Sequence, residues 1–289
     1  MASSRSKRSN QVGAAAILAI VLLIAGLAIA SRGRHFPPPV LQGSGCLVRS
    51  SSYDVPLTTG QAGLAATIAG VARRRSMPVR AVTIAYATAL QESDLENLSY
   101  GDRDSVGVFQ QRPSQGWGTR QQLLDPIYAT SRFFAALASV PGYRHLLVYQ
   151  AAQAVQRSAD GYAYSQYAPQ GAAMAAGFSG HLARAVWCWY GGAKFGRPVR
   201  LAAASRQLAA TFGQLPVGQI TDPMLAVRVS HRLAGWAVAA WLVTHAANYR
   251  IREVRYQGYQ WTAAHGAKGW TRYSSRGQGP TARGAVTFG

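Results

Sequence analysis

The chain has 289 residues and a net charge of +20, from 30 Lys and Arg against 10 Asp and Glu, and its apolar content of 48% is enough to build a core rather than a disordered tail. Only Lys7, Lys194 and Lys268 are lysines, so the basic excess is mostly arginine, spread along the chain. Such a field suits polyanions, whether nucleic acid, anionic lipid or an acidic cell wall. The lack of a basic stripe interleaved with base-stacking aromatics, of a zinc finger and of an RNA-binding fingerprint argues against nucleic acid.

In chain order, a basic tail (1–12) with Arg5, Lys7 and Arg8 precedes the uncharged run GAAAILAIVLLIAGLAIA (13–30), long enough to span a bilayer. The positive-inside rule predicts a single-pass membrane protein with a cytoplasmic N-terminus and an extracytoplasmic body. Ala28-Ile29-Ala30 also reads as a cleavage site, so a signal segment and a secreted product stay open beside an anchor. Residues 31–45, with three consecutive prolines and a Gly/Ser end, are predicted to be a linker.

The globular part is predicted from Cys46 on. Thr59 is placed as the cap of a helix carrying Leu64, Ile68 and Val71, ending at Arg73, Arg74 and Arg75. Pro78 is placed at the start of the next helix, through Ile84 and Leu90, with Glu92 at its end. Residues 97–124 read as loop or a short hairpin, and Asp125-Pro126 as the cap and first turn of a helix with Phe133, Phe134 and Leu137. Further helices are expected near 146–159, 172–190 and 199–213, giving an almost all-helical domain over 46–215. After the Pro216–Pro223 break, a helix over about 224–248 carries Trp236 and Trp241, which are not expected on one stripe. The period then changes to two through Val254, Tyr256 and Trp261, with Gly258 as a turn and AVTF as a further strand, so 216–289 reads as a small α+β domain. Trp261, Trp270, Tyr256 and Tyr259 either form a sugar-stacking face or pack against that helix. Cys46 and Cys188 are either a disulfide formed outside the cytoplasm or two separate buried thiols.

The chemistry points to one window. Glu92, Asp94, Glu96, Asp102 and Asp104 are half of the chain's carboxylates, all within 92–104. Glu92-Ser93 at a helix end, followed by Ser105-Val106-Gly107-Val108-Phe109-Gln110, resembles the active-site segment of the lysozyme-like superfamily, specifically lytic transglycosylases and goose-type lysozymes. The strings DRDS, FQQRPSQGWG and QAVQRSA are similar to lysozyme-like domains of actinobacterial exported proteins, and the likeness covers roughly 46–190. It implies a mainly α lysozyme-like domain, to which the residue patterns add the small α+β C-terminal domain and the N-terminal transmembrane helix. It further implies cleavage of peptidoglycan or another N-acetylated glycan without cofactor or metal. Glu92 would be the general acid, then base if the substrate's own N-acetyl group assists.

Physical chemistry supports the same roles, because glycosidic cleavage needs an acid on the leaving oxygen, and a partly shielded glutamate suits that task. Gly107 allows close backbone approach, Phe109 and Trp117 offer sugar-packing faces, and Ser105, Gln110 and Gln111 offer polar groups. The Ala-Tyr-Asn-x-Gly motif of many transglycosylases is replaced by Ala154-Val155-Gln156-Arg157-Ser158. Gln156 is then the candidate for the amide, and Tyr162 or Tyr164 for the phenol. A wall-binding or envelope-assembly scaffold that has lost turnover is the alternative.

Overall fold

A computed structural model describes residues 43–51, 54–158, 161–191, 195, 199–221, 223–273 and 284–289. The expected basic tail, the segment 13–30 and nearly all of the expected linker lie outside the described residues. Among the described residues no helix is long and apolar enough to cross a membrane. The described residues belong to one compact unit, Gln42–Gly289.

The chain opens with two strands, β1 (Ser44–Arg49) and β2 (Asp54–Leu57). Helices α1 (Thr59–Arg74), α2 (Val79–Ser93), α3 (Arg120–Leu123), α4 (Pro126–Ala138), α5 (Val148–Gln156) and α6 (Ala168–Phe178) follow, then β3 (Val186–Tyr190). After these come α7 (Leu201–Phe212), β4 (Val217–Thr221), β5 (Met224–Arg228), α8 (Arg232–Thr244) and α9 (Ala246–Tyr249). The chain ends with β6 (Glu253–Tyr256), β7 (Tyr259–Thr262), β8 (Thr271–Arg272) and β9 (Ala285–Phe288).

Several starts follow local rules. Thr58, one residue before the expected cap, forms a reciprocal capping box with Gln61, and Asp125 accepts from the Ile127 amide just before Pro126. Helix α2 starts after Pro78 and ends at Ser93, as the sequence predicts for Glu92's position.

The expected fold class is corrected: about half of the described residues are helical, and two antiparallel sheets, not one, share the structure with them. The unexpected sheet is three-stranded, ordered β2-β1-β3, inside the region expected to be almost all helical. Residues 172–190 do not form one helix, because α6 stops at Phe178 and Val186–Tyr190 turns into a strand. All five residues of that strand, VWCWY, are buried, so it shows no alternation that would separate it from a buried helix. β2 carries Pro56 on the sheet edge, where a missing N–H is tolerated.

Cys46 and Cys188 face each other in the β1–β3 ladder and are joined by a disulfide across 142 residues of sequence. The outer edge of β3 is closed by side chains: Trp270 Nε1 donates to the Val186 carbonyl at 2.7 Å and Trp261 Nε1 to the Cys188 carbonyl at 2.9 Å. Those indoles satisfy carbonyls that would otherwise sit unpaired on a sheet edge.

The second sheet has six strands in the order β4-β5-β9-β6-β7-β8. The period-two segment, the Gly258 turn at φ 74° and the AVTF strand are found where expected, whereas the helix expected from 224 starts at Arg232 because Met224–Arg228 is a strand. Helix α8 is buried on all sides from Ala234 to Thr244, as a helix covered by both sheets and helices must be. Its two tryptophans diverge: Trp236 meets Tyr256 and Trp270 edge-on over the sheet, and Trp241 stacks on His245 with ring centroids 4.1 Å apart. Trp261 and Tyr256 are buried in this packing, so they do not form an open sugar-stacking face.

Candidate functional site

Helix α2 is terminated by two successive left-handed residues, Asp94 (φ 52°) and Leu95 (φ 59°). The Leu95 amide returns to the Ala89 carbonyl and the Asp94 amide to Leu90, a wrapped helix end that the buried Leu95 side chain fixes in place. Glu92 lies in that last turn, where a carboxylate faces the negative end of the helix dipole and does nothing for helix stability. Its position is held instead from across the fold. The Tyr164 hydroxyl donates to Glu92 Oε1 at 2.6 Å, and Tyr164 is only 1% exposed. Glu92 itself is half-buried.

The loop after α2 is fastened at two adjacent carbonyls of its signature. Ser93 Oγ donates to the Val108 carbonyl at 2.8 Å, and Gln156 Nε2, at the end of α5, donates to the Phe109 carbonyl at 2.8 Å. Val106 and Gln111 pair as an isolated antiparallel bridge, the only hairpin-like element of the expected loop. Helix ends α2 and α5, the loop 105–111 and the short 3-10 helix Tyr162–Tyr167 therefore converge around Glu92.

The sequence-predicted sugar contacts separate into two groups. Phe109 is 0% exposed and stacks on Phe133 with ring centroids 4.4 Å apart, so it is core and not a sugar platform. Ser105 and Gln111 are also buried, and Gln111 Nε2 donates to the Ala129 carbonyl. Gly107 sits at φ 81°, and a Cβ there would come within 2.4 Å of the Leu123 carbonyl oxygen. The close approach that requires glycine is thus to the chain itself. Gln110 bridges its own loop, donating to the Gly107 and Tyr100 carbonyls. Tyr162, 70% exposed, rests edge-on against Tyr149 and does not hold Glu92. Tyr164 takes that role, because residues two apart in a tight helix point to different sides.

Trp117 and Gln156 do line open space. With Gln115, Arg132, Val155 and Arg157 they border a cleft of about 680 Å³. Glu92 is not among its lining residues; Gln156 links the two, bordering the cleft while bonding the Phe109 backbone. Arg132 and Arg157 give this cleft two cations that were not among the expected site residues; Arg132 lies outside every quoted motif, and Arg157 entered only as a neighbour of Gln156.

Of the other acids of the window, Asp104 and Asp94 are tied into the fold, whereas Glu96 and Asp102 lie exposed. Asp104 accepts from the Ser114 amide at 2.7 Å, from Arg112 at 3.0 Å and from the Ser114 hydroxyl. The Ser114 amide and Arg112 hold its carboxyl down at about 2. Asp94 accepts from Gln61, and Asp102 faces Arg103 at the surface. Among the described residues no three His, Cys, Asp or Glu side chains gather into a metal-binding group.

Comparison with known proteins gives one family model, described as VldE, C-terminal domain, which matches residues 193–284. No curated protein sequence matches the chain. The matched span runs across α7 to β8 and contains neither Glu92 nor the residues fastened around it.

Proposed function

We propose that the chain cleaves the glycan strand of peptidoglycan, as a lytic transglycosylase or a lysozyme-type enzyme of the lysozyme-like superfamily, with Glu92 as its acid. The observation that carries this reading is the 2.6 Å bond from the buried Tyr164 phenol to Glu92 Oε1. One carboxyl oxygen is oriented while Oε2 has no hydrogen bond to the described residues, and Oε2 is then the oxygen that delivers a proton to a glycosidic oxygen. Orientation of a half-buried acid by a fixed donor favours chemistry over helix packing. The resemblance of the Glu92-Ser93 and 105–110 segments to transglycosylases supplies the substrate class. Tyr164 and Gln156 are this chain's candidates for the phenol and amide that the resemblance assigns to a tyrosine and an asparagine of a motif absent here.

The test is product analysis by mass spectrometry after purified peptidoglycan is incubated with the full chain and with Glu92→Gln. Anhydro-ended fragments from the parent alone identify a transglycosylase, and reducing-ended ones a hydrolase. One feature favours a second reading, a glycan-binding scaffold: the large cleft is lined by Trp117 and Gln156 but not by Glu92. Sacculus binding equal in both proteins, with no fragments from either, would establish it and remove the enzyme.

A further inference from the structure

A second groove, of about 450 Å³, lies far along the sequence from the 92–111 segment, where the end of β1, the turn before β3 and residues 268–270 meet. Its lining carries three cations, Arg49, Arg184 and Lys268, and no carboxylate. The two arginines are held by aromatic faces. The Arg49 guanidinium lies 4.8 Å from the Trp187 ring centroid and that of Arg184 lies 4.3 Å from Tyr259. Stacking fixes a guanidinium by its flat face and leaves its in-plane N–H donors available. Arg49 spends part of its fork on Asp54 in an exposed ion pair of 3.3 Å, whereas Arg184 and Lys268 have no carboxylate partner among the described residues.

Like charges are gathered here with no carboxylate in the described lining to balance them, the ring stacking and the Arg49–Asp54 pair offsetting only part of their repulsion. Arg184 is also held at φ 60°, a backbone region uncommon for arginine, at the entry to β3. The walls are rigid, since Trp187 is a strand residue and the Trp270 indole is bonded to the Val186 carbonyl. Two planar forks and one ammonium around a fixed cavity match the oxyanions of phosphate groups.

We propose that this groove binds the phosphate groups of a polyanionic chain, at a site independent of Glu92. A diffuse +20 field would bind the same ligand weakly anywhere, so the experiment separates a built site from the general charge. Tripolyphosphate is titrated calorimetrically into the full chain, into Arg49→Gln/Arg184→Gln/Lys268→Gln, and into a control, Arg75→Gln/Arg144→Gln/Arg206→Gln. The control residues are exposed and outside the groove, and both triple variants carry +17, three less than the parent's +20.

The groove variant is expected to bind about tenfold more weakly or worse, and the control within about twofold of the parent. Equal losses in the two triples would overturn the proposal in favour of the diffuse field, as would no loss in the groove triple. Lys268→Glu covers the case in which the triple does not fold, because it changes a single exposed side chain. An unchanged affinity for that single variant sinks the proposal, and a loss of about fivefold or more supports it.

Discussion

Replacing Tyr164 by phenylalanine keeps the buried ring and removes the hydroxyl that donates to Glu92 Oε1 at 2.6 Å. A short bond from a hydroxyl to a carboxylate is among the stronger ones, and in a fully buried setting contributes about 1.5–3 kcal/mol. Glu92 is half-buried, so water replaces part of the loss, and the expected destabilisation of Tyr164→Phe is about 1–2 kcal/mol. Urea unfolding of the parent, Tyr164→Phe, Glu92→Gln and the double variant closes a cycle, and the pair should show a coupling of about 1 kcal/mol or more at unchanged m-value. If the proposed chemistry holds, the freed carboxylate also loses its orientation. Turnover of peptidoglycan by Tyr164→Phe should then fall about tenfold to a hundredfold with little change in KM. A coupling below about 0.3 kcal/mol together with parental turnover would refute the idea that the phenol positions Glu92.

The Cys46–Cys188 bridge closes a loop of 142 residues of separation, so reducing it or replacing both by serine should lower the unfolding free energy by about 3–5 kcal/mol in denaturant titrations. Gly107→Ala places a Cβ against the Leu123 carbonyl at a positive φ, and a loss of about 2–3 kcal/mol in thermal or urea unfolding is expected, more than for Gly142→Ala, which shares the positive φ but has open space for the Cβ. Burial beside the stacked Trp241 ring pushes the His245 imidazole down to about 4 from 6.5, so the unfolded chain binds its proton first. Stability from this residue is complete above pH 6.5 and declines as pH falls from 6.5 to 4, by up to about 3 kcal/mol, a slope that unfolding curves of His245→Gln should lack.

How much of this was legible depended on the range of each signal. The Thr58–Gln61 box, the Asp125-Pro126 start and the Gly258 hairpin are decided within a few residues, and the sequence shows them directly or within one position. Glu92 at a helix end was legible for the same reason, through the Pro78 start and the apolar period of α2. The first sheet was not. Val186–Tyr190 becomes a strand by pairing with β1 across 142 residues, and a strand buried along its whole length has no period to read; β1 and β2 pair locally, but each is too short for its pattern to stand out.

The site divides along the same line. Composition singled out the 92–104 window, the helix pattern put Glu92 at a helix end, and the resemblance chose it among the five acids there. Only the tertiary structure decided what surrounds it. Whether Phe109 stacks on a sugar or on Phe133, and whether Tyr162 or Tyr164 meets the carboxylate, depends on α4, α5 and a short 3-10 helix folding back from 24 to 72 residues away. Side chains that satisfy either role are chemically the same in the sequence; packing assigns them, because a buried ring and an open cleft wall differ only in which neighbours the fold brings to them.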